Sequence, residues 1–431
     1  SPMKLSLLMV VCLSGLFWSC RQEKEAEEQL LWEYYRGFTY PPELFDSLSS
    51  LAQEEPTRRF FEGMRCFEKY DQLDSVSCYD SARMIFDGLM ADYPDSYLGY
   101  LGKGILMTER GRKERSRNHP QDQLWIDSAE QFYKTASLKE PGHGAIYYYR
   151  GRNQYNRNLD TINLLAIAYL DTAVQLRENF FKATERSAEF LSHYLDLSEK
   201  LGGDSRTRFQ SAFPNVEERI KYYFSRSLSI DSSWYQTYQG IAKAIHVYSA
   251  RERIDYLNKG ISIARSKRSR DSIDLMLSLL HIYHRDLQDY ERARTSFTLL
   301  RGEDKEAQKI ISWAAFYLNE EASETRAGLS TLKAMDATEG LYQLYHYHRL
   351  SGSYDSAAYY LREVMKEDPS QQIKYQLEQV KLTLHRGQKA QAVQQLKQLL
   401  QEGEKQWGDD KFSYDEYNKA FYLLRYFEGY P

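Results

Sequence analysis

The sequence predicts an all-α chain, an α-solenoid built from antiparallel helix hairpins. Three observations carry this prediction. A spacing of small residue, large apolar, second apolar and proline recurs along the chain. Asp-Ser pairs precede the copies. Proline is scarce, 10 residues in 431, and falls where a helix would stop. The spacing reads Ala82-Phe86-Leu89-Pro94, then Ala129-Tyr133-Ala136-Pro141, then Ala357-Leu361-Val364-Pro369. Weaker copies, Ala293-Phe297-Leu300 and Ala392-Leu396-Leu399, lack the proline. Steps of four and three keep these side chains on one helix face. The small residue admits a neighbouring helix, and proline ends the run because it has no N–H to donate. Asp80-Ser81, Asp127-Ser128 and Asp355-Ser356 read as openings of the second helix, where a carboxylate meets unpaired N–H groups.

In chain order, residues 1–19 read as a signal peptide, with Ser1-Pro2 a cloning scar ahead of the start at Met3. Lys4 is followed by an apolar run shorter than the roughly 20 residues a spanning helix needs. Ser19-Cys20 closes it, and the chain turns charged at Arg21. The segment resembles a bacterial lipoprotein signal, in which Cys20 would become the acylated N-terminus. Phe17 and Trp18 are bulkier than that family prefers. The resemblance implies a lipid-anchored protein of the Gram-negative cell envelope, in the outer membrane, periplasmic or surface-exposed. An ordinary secretory leader is the other reading.

Residues 20–58 are expected to form a lipid-anchored tether and N-terminal cap, broken at Pro41-Pro42. Repeats with insertions follow over 59–270, further repeats over 271–403, and a capping helix within 404–431. An insertion at Thr108–Trp125 is expected to hold the basic run Arg110–Arg117 in a turn. A second run, Arg265–Arg270, also falls between helices, and Gly202-Gly203-Asp204-Ser205 reads as a loop. Cys66 and Cys78 flank a helix–helix turn. Two free buried thiols are the default there, and export would permit a disulfide as the alternative.

Charge is nearly balanced, 57 Lys+Arg against 61 Asp+Glu. That argues against nucleic acid as a partner, since such proteins carry a basic face. No phosphate-cradling glycine loop, zinc-protease or nucleophile-elbow motif occurs. His281 and His284 are three apart but lack a third ligand, so no metal site is expected. Neither a cofactor nor an enzymatic activity is expected.

The hairpin pattern resembles the tetratricopeptide repeat (TPR) family, whose unit is about 34 residues. Its best copy spans 338–371: Leu341, Leu344 and His348 fit the first helix, Gly352 the turn, and Ala357, Leu361, Val364 and Pro369 the second helix. A further unit covers 372–403 with Gly387 in its turn, and Tyr238, Ile241, Ala242 and Ile245 fit the first helix of one near 235–268. The resemblance implies a right-handed superhelix and a partner-binding groove lined by first helices. Carried onto this chain, the groove positions are Tyr148, Arg152, Tyr155 and Asn156, then Gln239, Lys243 and His246, then Tyr342, His346 and Arg349.

The function expected is a lipid-anchored scaffold or adaptor that binds a protein or peptide partner in the envelope. A SusD-type glycan- or nutrient-binding lipoprotein is the alternative, with the abundant tyrosines stacking on sugars. Oligomeric state stays open.

Overall fold

The computed structural model describes residues 25–36, 40–73, 75–116, 122–157, 159, 161–295, 300, 304–408, 411 and 414–429. The leader and Cys20 lie outside these residues. The described residues are helical with no strand, and no helix among them is long and apolar enough to cross a membrane. The chain divides into two compact units, Ser1–Ser249 and Ala250–Pro431. This division falls inside the stretch 235–268, which the sequence reads as one hairpin, and upstream of the boundary it placed at 270.

Unit 1 opens with α1 (25–36) and α2 (Pro42–Leu51). Helix α2 begins at Pro42, where a missing N–H costs nothing. Hairpins follow: α3 (Glu55–Leu73) with α4 (Val76–Asp92), α5 (Tyr97–Ser116) with α6 (Asp122–Lys139), and α7 (Gly144–Arg157) with α8 (Leu164–Leu176). Next, α9 (Phe181–Leu201) packs on α11 (Val216–Ile230), with α10 (Gly203–Ala212) inserted and α12 (Tyr235–Lys243) closing the unit. The first helices α3, α5, α7, α9 and α12 also touch one another in succession, the TPR-like arrangement.

The repeat residues do what their spacing requires. Ala82, Phe86 and Leu89 are fully buried on α4, and Ala129, Tyr133 and Ala136 on α6. Phe86 sits under two glycines. A Cβ at Gly63 on α3 would lie 2.5 Å from its ring, and one at Gly102 on α5 2.3 Å. Helices α4 and α6 stop just before Pro94 and Pro141.

Four expectations need correction. Asp80-Ser81 and Asp127-Ser128 lie inside their helices; α4 is capped by Ser75, which accepts from the Cys78 N–H, and α6 is already running at Asp122. Only Asp355 falls in a first turn. The basic run is not a loop, because α5 continues to Ser116. Its described cations, Arg110 to Arg115, are consumed inside the unit. Arg110 pairs with Glu114 at 2.7 Å, Arg112 with Glu109, Lys113 donates to the Tyr70 and Asp71 carbonyls, and Arg115 pairs with Asp122 at 2.8 Å. The loop at 202–205 shrinks to a turn: Gly202 and Gly203 take φ of +61° and +51°, and α10 starts at once. Finally, in the stretch 20–58, expected as tether and N-terminal cap, the chain packs as part of the unit from α1 on and is not a free tether there. Trp32 stacks on His143 (5.4 Å) and meets Phe180 edge-on, while Tyr34 meets Phe60 and Phe61. Glu27 accepts from the Gln53 and Glu54 N–H groups ahead of α3. Cys66 and Cys78 are free thiols, so the permitted bridge is not formed.

Unit 2 contains α13 (Ala250–Ser266) and α14 (Asp271–His281), the latter prolonged by a π turn at Ile282–Asp286. Then come α15 (Tyr290–Thr295), α16 (Lys305–Tyr317), α17 (Ala322–Met335), α18 (Ala337–Leu350), α19 (Tyr354–Glu367), α20 (Gln372–His385), α21 (Lys389–Trp407) and α22 (Asp415–Glu428). Consecutive helices pack as hairpins, α16 on α17, α18 on α19 and α20 on α21. Gly352 and Gly387 turn the chain with φ of +73° and +75°. Ala357, Leu361 and Val364 join Leu341 and Tyr345 in one core cluster. Helix α22 caps the next, burying Tyr417 and Ala420 beside Leu396 and Leu399.

Candidate functional site

On α7, Tyr148, Arg152 and Tyr155 follow steps of four and three, so one helix face carries all three. Tyr155 lies flat on Phe190 of α9, ring centroids 3.7 Å apart, with His193 edge-on at 5.6 Å. Opposite stand Gln239 and Lys243 of α12. Tyr155, Phe190, His193, Gln239 and Lys243, with Arg186, Glu189, Ser192 and Asp196, line a cleft of about 550 Å³ on the first-helix face of unit 1.

Two carried-over positions behave differently. His246 lies beyond the end of α12 at Lys243 and reaches Asp196 from the following turn, at 3.5 Å. Ile245, expected to pack, is exposed for the same reason. Asn156 is engaged through its backbone, whose carbonyl accepts from Arg115.

Tyr148 and Arg152 line a second, smaller cavity of about 200 Å³, together with Glu68 of α3, Glu109 of α5 and Lys182 and Arg186 of α9. Tyr34 of α1 and Tyr40 supply one of its walls. Lys182 is buried and donates to the Tyr40 hydroxyl. Burial, and then the Arg152 charge, push its ammonium down to about 7. Burial, and then Asp71, push the Glu68 carboxyl up to about 7. Sequence reasoning missed Lys182, Arg186, Glu189 and His193. Their spacing of four, three and four marks the same face of the next first helix, but without a repeat motif around them nothing set the register.

In unit 2 the structure brings Tyr342, His346 and Arg349 together on α18, at the same steps of four and three. The Tyr342 and His346 rings meet edge-on at 4.5 Å, and Arg349 Nη2 donates to His346 Nδ1 at 3.4 Å. Lys374 Nζ sits 4.5 Å over the Tyr342 ring, and Glu378 accepts from the Tyr345 hydroxyl at 2.8 Å. Burial outweighs the attraction of Glu378 and, helped by the Arg349 charge, holds His346 down to about 4. A histidine near 6.5 when unfolded and 4 when folded binds fewer protons in the folded state. Its contribution is therefore intact above about pH 6.5 and lost as pH falls toward 4. Unit 2 should lose up to roughly 3 kcal/mol over that window, and His346→Leu should flatten the slope. Urea midpoints measured at pH 7 and pH 4.5 check this.

Among the described residues no group of three His, Cys, Asp or Glu side chains could hold a metal ion.

No family model matches the chain, and no characterised protein matches it in sequence. Among solved structures it is similar to yeast Tom70 at 9% identity, covering 96% of this chain and 94% of that one, with a TM-score of 0.44. It is also similar to residues 1–338 of Acl4, an assembly chaperone of RpL4, at 15% identity over 63% of this chain and 99% of that one, TM-score 0.39. A third is the APC/C hetero-tetramer Cut9-Hcn1, 14% identity over 68% and 56%, TM-score 0.36.

Proposed function

We propose that the chain is a non-enzymatic TPR-like scaffold that holds a protein or peptide partner, tethered to the cell envelope by lipid on Cys20. The observation that carries the first part is the cleft between α7, α9 and α12. It is open, mixes aromatic with polar groups and is built on rigid helices, as recognition surfaces are. Sugar stacking draws little support from the two tyrosines among the groove positions on α7. Tyr155 has one face on Phe190, and Tyr148 is buried against Tyr149 and Phe180.

The groove is tested with the partner that co-purifies with the full chain. Tyr155→Ala combined with Lys243→Glu should weaken its binding at least about tenfold, while Leu138→Glu on the exposed face of α6 should not. Equal binding by all three proteins would refute the assignment. The anchor rests on the order Lys4, apolar run, Ser19-Cys20 alone. Cys20→Ala should leave an unprocessed precursor and release the chain from the membrane fraction. Unchanged processing and fractionation would end that part of the proposal.

A further inference from the structure

In the smaller cavity of unit 1 a guanidinium stands without a hydrogen-bond or ion-pair partner, attracted only at longer range by the wall residues Glu109 and Glu68. Arg152 lines it and, among the described residues, makes no hydrogen bond and no ion pair; its guanidinium carbon lies 5.8 Å from the Tyr148 ring centroid. Arg186 pairs with Glu189 and leaves Nε buried without a partner. The carboxylates on the walls are mostly committed elsewhere. Glu109 accepts both contacts of the Arg112 Nε at 3.0 Å, and Asp71 lies 3.5 Å from Arg112 and 3.9 Å from Lys113. Glu68 remains, and burial beside Asp71 leaves it only partly ionised near neutrality. Lys182, 5% exposed, is a third basic group and, pushed down to about 7 by burial and then by the Arg152 charge, is likewise only partly ionised near neutrality. A half-buried cation without a direct partner gives up part of its hydration, and replacing a buried charge with an apolar side chain of similar volume is often neutral or stabilising. Arg152 is explained if something absent from the chain completes the site.

We propose that this cavity binds a small organic anion, a carboxylate-bearing molecule no larger than an amino acid or a short-chain acid. Arg152 and Arg186 grip the oxyanion from α7 and α9. The rings of Tyr34, Tyr133, Tyr148 and Tyr149 enclose the remainder, which suits an organic body better than a bare inorganic ion. Because Tyr34 and Tyr40 form part of the wall, occupancy also bears on how α1 is seated. Arg186 lines both this cavity and the larger cleft, but nothing in this assignment comes from the scaffold reading, so the inference does not depend on it.

The test uses the full chain in a low-anion buffer. Thermal unfolding is followed with acetate, lactate, succinate, glutamate and inorganic phosphate at matched ionic strength. At least one carboxylate should raise the midpoint saturably, by about 4 °C or more. Arg152→Met should match or exceed the wild-type midpoint without anion and lose that response; Arg152→Lys should keep a weakened one. A stabilisation by phosphate alone would overturn the organic-ligand assignment. So would a wild-type response no larger than that of Arg152→Met. A lowered anion-free midpoint in Arg152→Met would show that Arg152 is structural and would overturn the proposal as well.

Discussion

Truncating Phe86 to alanine is expected to remove about 3–5 kcal/mol from unit 1, the range for a large aromatic lost from a closed core. The ring is fully buried and lies under Gly63 and Gly102, with Phe60 at 6.3 Å. Three helices thus share one side chain, and none can move in without clashing elsewhere. The same geometry fixes the sign of a coupling. Gly102→Ala alone drives a methyl to within 2.3 Å of the ring and should cost about 1–3 kcal/mol. In the Phe86→Ala background the clash is gone, so Gly102→Ala should cost little or even fill part of the cavity. Hydrogen exchange of amides in α3–α6 measures each term within the unit, which matters because an array need not unfold in one step. Additive costs would mean that the two sites do not meet as described.

A second large effect is expected from Gly340→Ala, about 3 kcal/mol of destabilisation in unit 2, at the upper end of the overpacking range. Helices α17 and α18 are joined through Asp336 alone, which accepts from the Glu339 N–H at the start of α18. The turn is so tight that a Cβ at Gly340 would lie 2.1 Å from the Lys333 Cα and 2.3 Å from its N. Backbone cannot rotate aside as a flexible side chain would. Alanine's better helix propensity, about 1 kcal/mol, works in the opposite direction and does not offset a contact that short. Guanidine denaturation followed through tryptophan fluorescence, in a chain that keeps only Trp313 and Trp407, reads unit 2. An unchanged or raised midpoint would contradict the close approach.

What was legible follows the range over which each feature is specified. The triplets around Phe86, Tyr133 and Leu361 were readable because helix periodicity is local, and all three are buried as their spacing requires. The turns at Gly352 and Gly387 were readable for the same reason. Helix α1 was not. Its Trp32, Tyr34 and Tyr35 are received by residues as distant as His143 and Phe180, and nothing within 25–36 announces that surface. The basic run was misplaced because Arg, Lys and Glu are good helix formers, and Gly111 interrupts them only in appearance. A Cβ there would meet Ile126 at 2.7 Å, so that glycine marks a close approach of α5 to α6. The positions on α7 and α18 were carried over through the resemblance, which set their register on one helix face. Those on α9 were missed because Lys182 and Arg186 sit on a helix without repeat landmarks.

The central claim is that the first-helix face of unit 1 is where the partner sits. Site-specific photocrosslinking tests it most directly. A photoreactive phenylalanine replaces Tyr155, Gln239 or, as the outer-face control, Leu138 in the full chain, and adducts formed in intact cells are identified. The account predicts one dominant protein adduct shared by positions 155 and 239 and absent at 138. An adduct at 138 alone, or the same adduct at all three, would contradict it.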